Sequence, residues 1–305
     1  MSFMKPIRTT DVNEAMEFGN HNFEVEKHRL HTETGLVIPD QVAIVNRNTG
    51  SYLGTVGHGW EPVQPDTLYE LAGELIHSTG CSINGVFSLR GGRIIGISFN
   101  IAEREYIAGD PISLNFIMLN AFDGSHGLAG HAPTSRAACL NVCNTSNKVY
   151  NLRHTKNVLN RVLVVKNMLK YYQNEIQSFD EKMQYLVSHN MNQDEAVAWF
   201  RSLFPKPTTD RAETRLDNQV ATFVNCLLHG RGSDIVGVRG TSYGAFQALT
   251  EFINHERTVR VHGERDEEEV RFETIHFGSG NSLTQKGLSK LTSSFLLDAS
   301  EFMIN

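Results

Sequence analysis

Nowhere in this chain do about 18 uncharged apolar residues run together, so no membrane-spanning helix is expected. The opening residues, MSFMKPIRTTDVNE, hold no apolar run of signal-peptide length, which points to a soluble protein working in a cytoplasm, with no membrane partner. Cysteine is scarce: Cys81, Cys139, Cys143 and Cys226 are too few and too scattered for a disulfide framework, and reduced thiols are expected. Cys139 and Cys143 in CLNVC are also too far apart for a CxxC redox pair; on one strand they would share a face as small buried side chains. Phosphate-binding loops are missing too. There is no GxxxxGK[ST], and the glycines of 54–59 and 237–244 lack the strand-loop-helix spacing of a dinucleotide fingerprint. GRGSD at 230–234 does not have the spacing of a nucleophile elbow. Neither an ATPase nor a serine hydrolase is expected, and no cofactor. Internal repeats and low-complexity stretches are absent. The most informative absence is of acid: from residue 136 through 172 there is no Asp or Glu, in a chain whose formal net charge is −6.

What is present is ordinary globular composition, 40% hydrophobic and 20% charged over 305 residues, enough to bury a substantial core. The modest negative charge argues against coating duplex DNA by bulk electrostatics, while leaving room for a local basic strip.

The hydrophobic pattern changes period near the middle. From about Gln41 to Val142 short period-two stretches alternate with turn residues, as in a strand-rich region. VAIVNRNTGSYLGTVG reads as a hairpin turning at Asn48-Thr49-Gly50, and INGVFSL-RGGR-IIGISFNI as a second. A helix is predicted at 66–77, and strands at 113–119 and 134–142. Beyond 150, Val158, Val162, Val165, Leu169, Tyr172, Ile176, Phe179, Met183 and Leu186 recur at spacings of four and three. That is a heptad seam on one helix from about 155 to 189, roughly 50 Å long. Asn192 with Glu195 makes a capping box for a short helix carrying Trp199 and Phe200. Helices follow at 210–229 and 242–256, then a strand near 270–277 and a helix near 283–296; the acidic run 264–269 reads as a solvated loop. The expected fold is α+β: a strand-rich antiparallel sheet with a helix in residues 1–150 and a mainly helical 151–305 with one long heptad-patterned helix, as one continuous fold.

Four segments carry a resemblance. SYLGTVGHGWEPVQ (51–64), FIMLNAFDGSHG (116–127), NLRHT (151–155) and GTSYGAFQALTEFINHERTVR (240–260), in that order, resemble the LGT-type phage/plasmid-like domain of unknown function found in bacteriophages, prophages and conjugative plasmids. The likeness runs from about Asn22 to about Leu291. It implies a protein acting in the host-cell cytoplasm and supplies no catalytic residues.

Function therefore has to come from the side chains. Arg136, Lys148, Arg153, His154, Lys156, Arg161, Lys166 and Lys170 fall in the carboxylate-free stretch, with Tyr150 interleaved. Phosphates need cations without competing acids, and an aromatic ring gives an unstacked base a platform. Arg90 and Arg93, on the glycine hairpin, offer a second contact point. The expected nucleic-acid-binding set is Arg90, Arg93, Arg136, Lys148, Tyr150, Arg153, His154, Lys156 and Arg161. A solvated basic helix face is the plainer alternative. Gly54, Trp60, Asp123 and Gly124 are expected to be structural: Gly54 in its hairpin, Trp60 burying a large apolar face, and Asp123 and Gly124 shaping a turn. Asp123, His126, His131 and His154 include metal-ligand types, but DGSHGLAGH lacks ligands fixed on one helix or strand, so no metal is expected. The expected function is single-stranded nucleic-acid binding in phage replication or recombination, of the annealing type, by a homo-oligomer built on the seam. The alternatives are a host-directed interaction protein that counters a bacterial defence, and a metal-dependent enzyme.

Overall fold

The computed structural model describes residues 4–136, 142–145, 149–156, 165–263 and 265–293. In chain order, β1 (Met4–Thr9), α1 (Val12–Gly19), β2 (Val25–His31), β3 (Val37–Asn46) and β4 (Tyr52–Gly57) come first. Next are α2 (Pro65–Thr79), β5 (Ser82–Leu89), β6 (Ile94–Glu105), β7 (Pro111–Ala121), β8 (Leu128–His131), β9 (Pro133–Arg136), β10 (Val142–Thr145) and β11 (Tyr150–Leu152). The helical part holds α3 (Val165–Ser188), α4 (Gln193–Ser202), α5 (Asp210–His229), α6 (Ser242–Glu251), α7 (Glu267–Phe277) and α8 (Ser279–Leu291). The fold is α+β, with antiparallel strands concentrated in the N-terminal half and helices in the C-terminal half. No described helix is long and apolar enough to cross a membrane.

The chain forms two compact units, each assembled from three stretches. The first comprises Met1–Ile101, Asn115–Ala132 and Asn147–Gln173. Its larger sheet runs β1-β5-β6-β7-β8-β11 and its smaller one β2-β3-β4. Both predicted hairpins are present. In β3–β4, Asn46 Oδ1 accepts the backbone N–H groups of Asn48 (2.9 Å) and Thr49 (3.2 Å), and Gly50 supplies the positive φ of +71°. In β5–β6 the strands pair Leu89 with Ile94 and Phe87 with Gly96, and a Cβ at Gly96 would overlap the Phe87 ring. Helix α2 starts with Pro65, whose missing N–H costs nothing there, and buries Leu68, Leu71, Ala72 and Leu75 on one face. Before these elements lie β1, α1 and β2, for which the sequence reading had no assignment.

The second unit comprises Ala102–Leu114, Pro133–Ser146 and Asn174–Asn305. Here β9 pairs with the first residues of β7 and antiparallel with β10, so of the return strand predicted at 134–142, residues 134–136 form β9, Val142 begins the separate strand β10, and 137–141 lie outside the described residues. One apolar cluster gathers Trp199, Phe200, Phe223, Leu249 and Phe252, with the Phe200 and Phe223 rings stacked at 4.3 Å. A second cluster takes Phe179, Met183 and Leu186 of α3 against Ile112, Tyr243 and Phe246. The last three seam positions are thus core of their own unit. Val158 and Val162 lie outside the described residues, as do the side chains of Val165, Leu169 and Tyr172. The Asn192–Glu195 capping box is formed in both directions, at 3.0 and 2.8 Å.

One element differs in kind from its reading. Residues 270–277, expected as a strand, are the body of α7: Glu269, Phe272, Ile275 and His276 are buried at helical spacing. The acidic run is not a free loop either. Asp266 caps α7 by accepting from the Glu268 and Glu269 N–H groups, and Arg265 pairs with Glu269 (3.2 Å) and Glu273 (2.8 Å). Acids in a first turn suit the positive end of the helix dipole, which is what the run serves here.

Candidate nucleic-acid interface

In the first unit, three of the four sequence segments meet. Gly54 of β4 lies so close to the 122–124 turn that a Cβ would sit 2.6 Å from the Asp123 Cα, so the position admits only glycine without movement. The turn matches its reading: Asp123 Oδ1 accepts the Ser125 N–H at 2.9 Å, and Gly124 takes a φ of +77°. Asp123 Oδ2 also receives Arg90 Nη1 at 2.8 Å. Arg90 itself holds a left-handed φ of 53° in the β5–β6 turn, and the Phe122 N–H donates to the Arg93 carbonyl at 2.7 Å. Two turns are thereby clamped together beside β4. On β4, Tyr52 remains 50% exposed, and the Arg93 guanidinium carbon stands 5.5 Å from the centre of its ring.

The NLRHT segment docks on the same unit. Gly127 donates its N–H to Asn151 Oδ1 at 3.1 Å and has no space for a side chain against the Leu152 carbonyl. His154 is buried and stacks on Trp60, ring centres 4.4 Å apart and 11° from parallel. Its Nδ1 lies 3.1 Å from the Glu61 carbonyl, which can only accept, so the proton sits on Nδ1. The Glu61 N–H returns a bond of 3.1 Å to the His154 carbonyl. Nε2 is buried with no hydrogen-bond partner among the described residues, and burial pushes the imidazole pKa down to about 4. Trp60 is half-buried, with one face stacked on the His154 ring.

These positions divide the expected binding set. Arg153 and Lys156 are exposed, and no ion pair to either is found among the described residues. Arg90 and Arg93 are half-buried, Arg90 committed to Asp123 and Arg93 to the Tyr52 ring. Three members lie in the interior, against expectation. Tyr150 is 6% exposed, packed against Phe116 and over Gly130, and burial raises its phenol pKa. His154 belongs to the Trp60 stack. Arg136 lies in the second unit, 2% exposed, with Nε bonded to both Asp110 oxygens (2.7 and 2.9 Å) and its terminal nitrogens donating to the Arg231 and Gly232 carbonyls. Tyr243 adds a hydroxyl bond to Asp110 at 2.8 Å. A buried, fully bonded pair of this kind is a structural lock, because freeing either charge would leave the other stranded. Sequence charge counting could not separate Arg136 from surface cations; its partner Asp110 is 26 residues away. Lys148 and Arg161 lie outside the described residues.

The fourth segment begins GTSYG (240–244), which does have the GxSxG spacing of a nucleophile elbow, a match the sequence reading missed. Its geometry is a helix cap. Positive φ falls on Gly240 (+76°) and not on Ser242, Thr241 Oγ1 accepts the Gly244 N–H at 3.1 Å, and a Cβ at Gly244 would overlap the Val238 carbonyl. Asp123, His126, His131 and His154 form no metal-holding group, and none is found among the described residues.

Residues 52–275, more than half of the chain and spanning or overlapping all four segments, match the family described as a domain of unknown function, DUF932. The chain belongs to that family. No curated protein and no solved structure matches it. Within this DUF932 domain, the three segments that meet in the first unit do so through close backbone packing at Gly54 and Gly127 and through the Trp60–His154 stack. Beside them Tyr52, Arg153 and Lys156 are exposed and Arg93 is half-buried.

Proposed function

We propose that this DUF932 protein, of phage or plasmid origin, binds single-stranded nucleic acid during replication or recombination, acting by charge neutralisation and strand positioning in the host cytoplasm, without bond-breaking chemistry. The observation that carries the reading is the pairing of exposed, carboxylate-free cations at Arg153 and Lys156 with the Arg93–Tyr52 pair on the same compact unit. Phosphodiesters favour cations that have no internal acid to satisfy, and exposed aromatic and guanidinium planes favour unpaired bases. The chain's overall negative charge limits non-specific attraction to duplex DNA. Lys148 and Arg161, in the same carboxylate-free stretch, extend the cationic set, and a homo-oligomer would repeat it along a strand.

The test is charge reversal. Fluorescence anisotropy with a labelled oligo-dT should show binding by the native protein and none by the Arg93→Glu, Arg153→Glu, Lys156→Glu triple variant, with circular dichroism unchanged. Equal binding by both proteins would overturn the reading.

A second reading, a host-directed interaction protein, is favoured by the β2–β3 hairpin tip, where Leu36 is 69% and Val37 46% exposed. Apolar side chains so exposed suit a protein partner. Co-purification of one host protein, lost on Leu36→Asp, would support it.

A further inference from the structure

We infer that Tyr52, with the Arg93 guanidinium over its ring, is the base-stacking platform of this protein; the inference rests on the nucleic-acid reading and specifies which strand chemistry it selects. The ligand class is the unpaired nucleobase of single-stranded DNA or RNA.

Three observations lead here. Tyr52 is among the few large apolar side chains left half exposed, at 50%, on the opposite face of β4 from the buried Leu53. Its position is fixed from several sides. Its hydroxyl bonds Thr55 Oγ1 at 2.9 Å, its strand is held two residues on by the Gly54–Asp123 packing, and Arg93 is tied through its carbonyl to Phe122. A ring already held in place loses little conformational freedom when a base stacks on it. Finally, the charge is complementary. Arg90, whose carboxylate partner is Asp123, orders the turn, while Arg93 has its guanidinium on the ring, where it can meet a base face and a neighbouring phosphate together.

The aromatic expected for this role, Tyr150, is buried and cannot take a base without opening the sheet. Tyr52 lies about 100 residues earlier, outside the basic stretch, so linear charge patterning gave no pointer to it. A duplex keeps its bases stacked on one another, so a tyrosine platform discriminates in favour of single strands.

The experiment compares an oligo-dT strand with an abasic strand of equal length and phosphate number, for the native protein, Tyr52→Ala and Tyr52→Trp. The native protein should prefer the base-bearing strand about tenfold, within the range of one base–aromatic stack. Tyr52→Ala should bind both strands equally, at the native abasic affinity and with an unchanged salt slope. Tyr52→Trp should keep or increase the preference. A Tyr52→Ala protein that retains the native preference would overturn the platform while leaving phosphate binding intact. No binding of either strand by the native protein would overturn the nucleic-acid reading and the platform with it. Because Tyr52 is half exposed, Tyr52→Ala should melt close to native; if it does not, Tyr52→Phe, which keeps the ring and loses only the Thr55 bond, must preserve the preference.

Discussion

Gly54 shows how a single missing side chain holds the unit together. With 2.6 Å between a would-be Cβ and the Asp123 Cα, Gly54→Ala must push β4 off the turn, and a loss of about 1–3 kcal/mol is expected, read as a lower melting temperature. The same substitution at Gly57, where a Cβ meets open space, is the control and should change little. His154 makes a pH-dependent contribution. Its folded pKa of about 4 lies below the ordinary 6.5, so the unfolded chain binds the proton more readily. The stability associated with neutral His154 is fully present above pH 6.5 and is lost as pH falls towards 4. At about 1.4 kcal/mol per pKa unit, the loss approaches 3 kcal/mol. Two other buried histidines, His21 (pKa about 4) and His276 (about 3), act in the same direction. His276 has neither ring nitrogen bonded among the described residues. Urea titrations at pH 7 and pH 5 should show the loss in the native protein, and a smaller one in His276→Leu. Equal losses in both proteins would show that His276 does not titrate on unfolding.

At the scale of elements, what the sequence made legible was local. Turn glycines at 50, 91 and 92, the proline opening α2 and the Asn192 capping box are decided by neighbours within a few residues, and each element formed where expected. Where two periods compete, the reading went astray. VRFETIHF carries an alternation that suggests a strand, yet the Asp266 cap and the acidic first turn favour a helix, and packing on Phe272 and Ile275 completes it. Of the candidate site, Asp123 and Gly124 were legible because turn chemistry is local, whereas Gly54, expected as a hairpin glycine, is required by its close approach to Asp123, a contact distant in sequence. Tyr52's exposure, Tyr150's burial and the Arg136–Asp110 lock depend on contacts distant in sequence. The seam on α3 makes the same point. Met183 is fully buried in its own unit, so Met183→Ala should cost about 2–5 kcal/mol of stability with no change in solution mass. A drop in mass at unchanged stability would instead make Met183 a contact between copies.

At the scale of the whole molecule, the basic stretch and the acidic average are reconciled by location. Of the basic stretch, Arg153 and Lys156 stay exposed on the first unit, while Arg136 is internally neutralised. A protein built this way should bind weakly as a monomer and gain affinity by presenting several copies to one strand. Light scattering at micromolar concentration is expected to give a mass above 34.2 kDa, and a strict monomer would remove the repeated-site assembly. The most direct measurement is the affinity for a single-stranded oligonucleotide as a function of salt. If Arg93, Arg153 and Lys156 each neutralise one phosphate, log affinity should fall against log salt with a slope of about −0.7 per contact, near −2 for the three. A flat dependence, or no binding at about 50 mM salt where such contacts are strong, would contradict phosphate recognition by this surface.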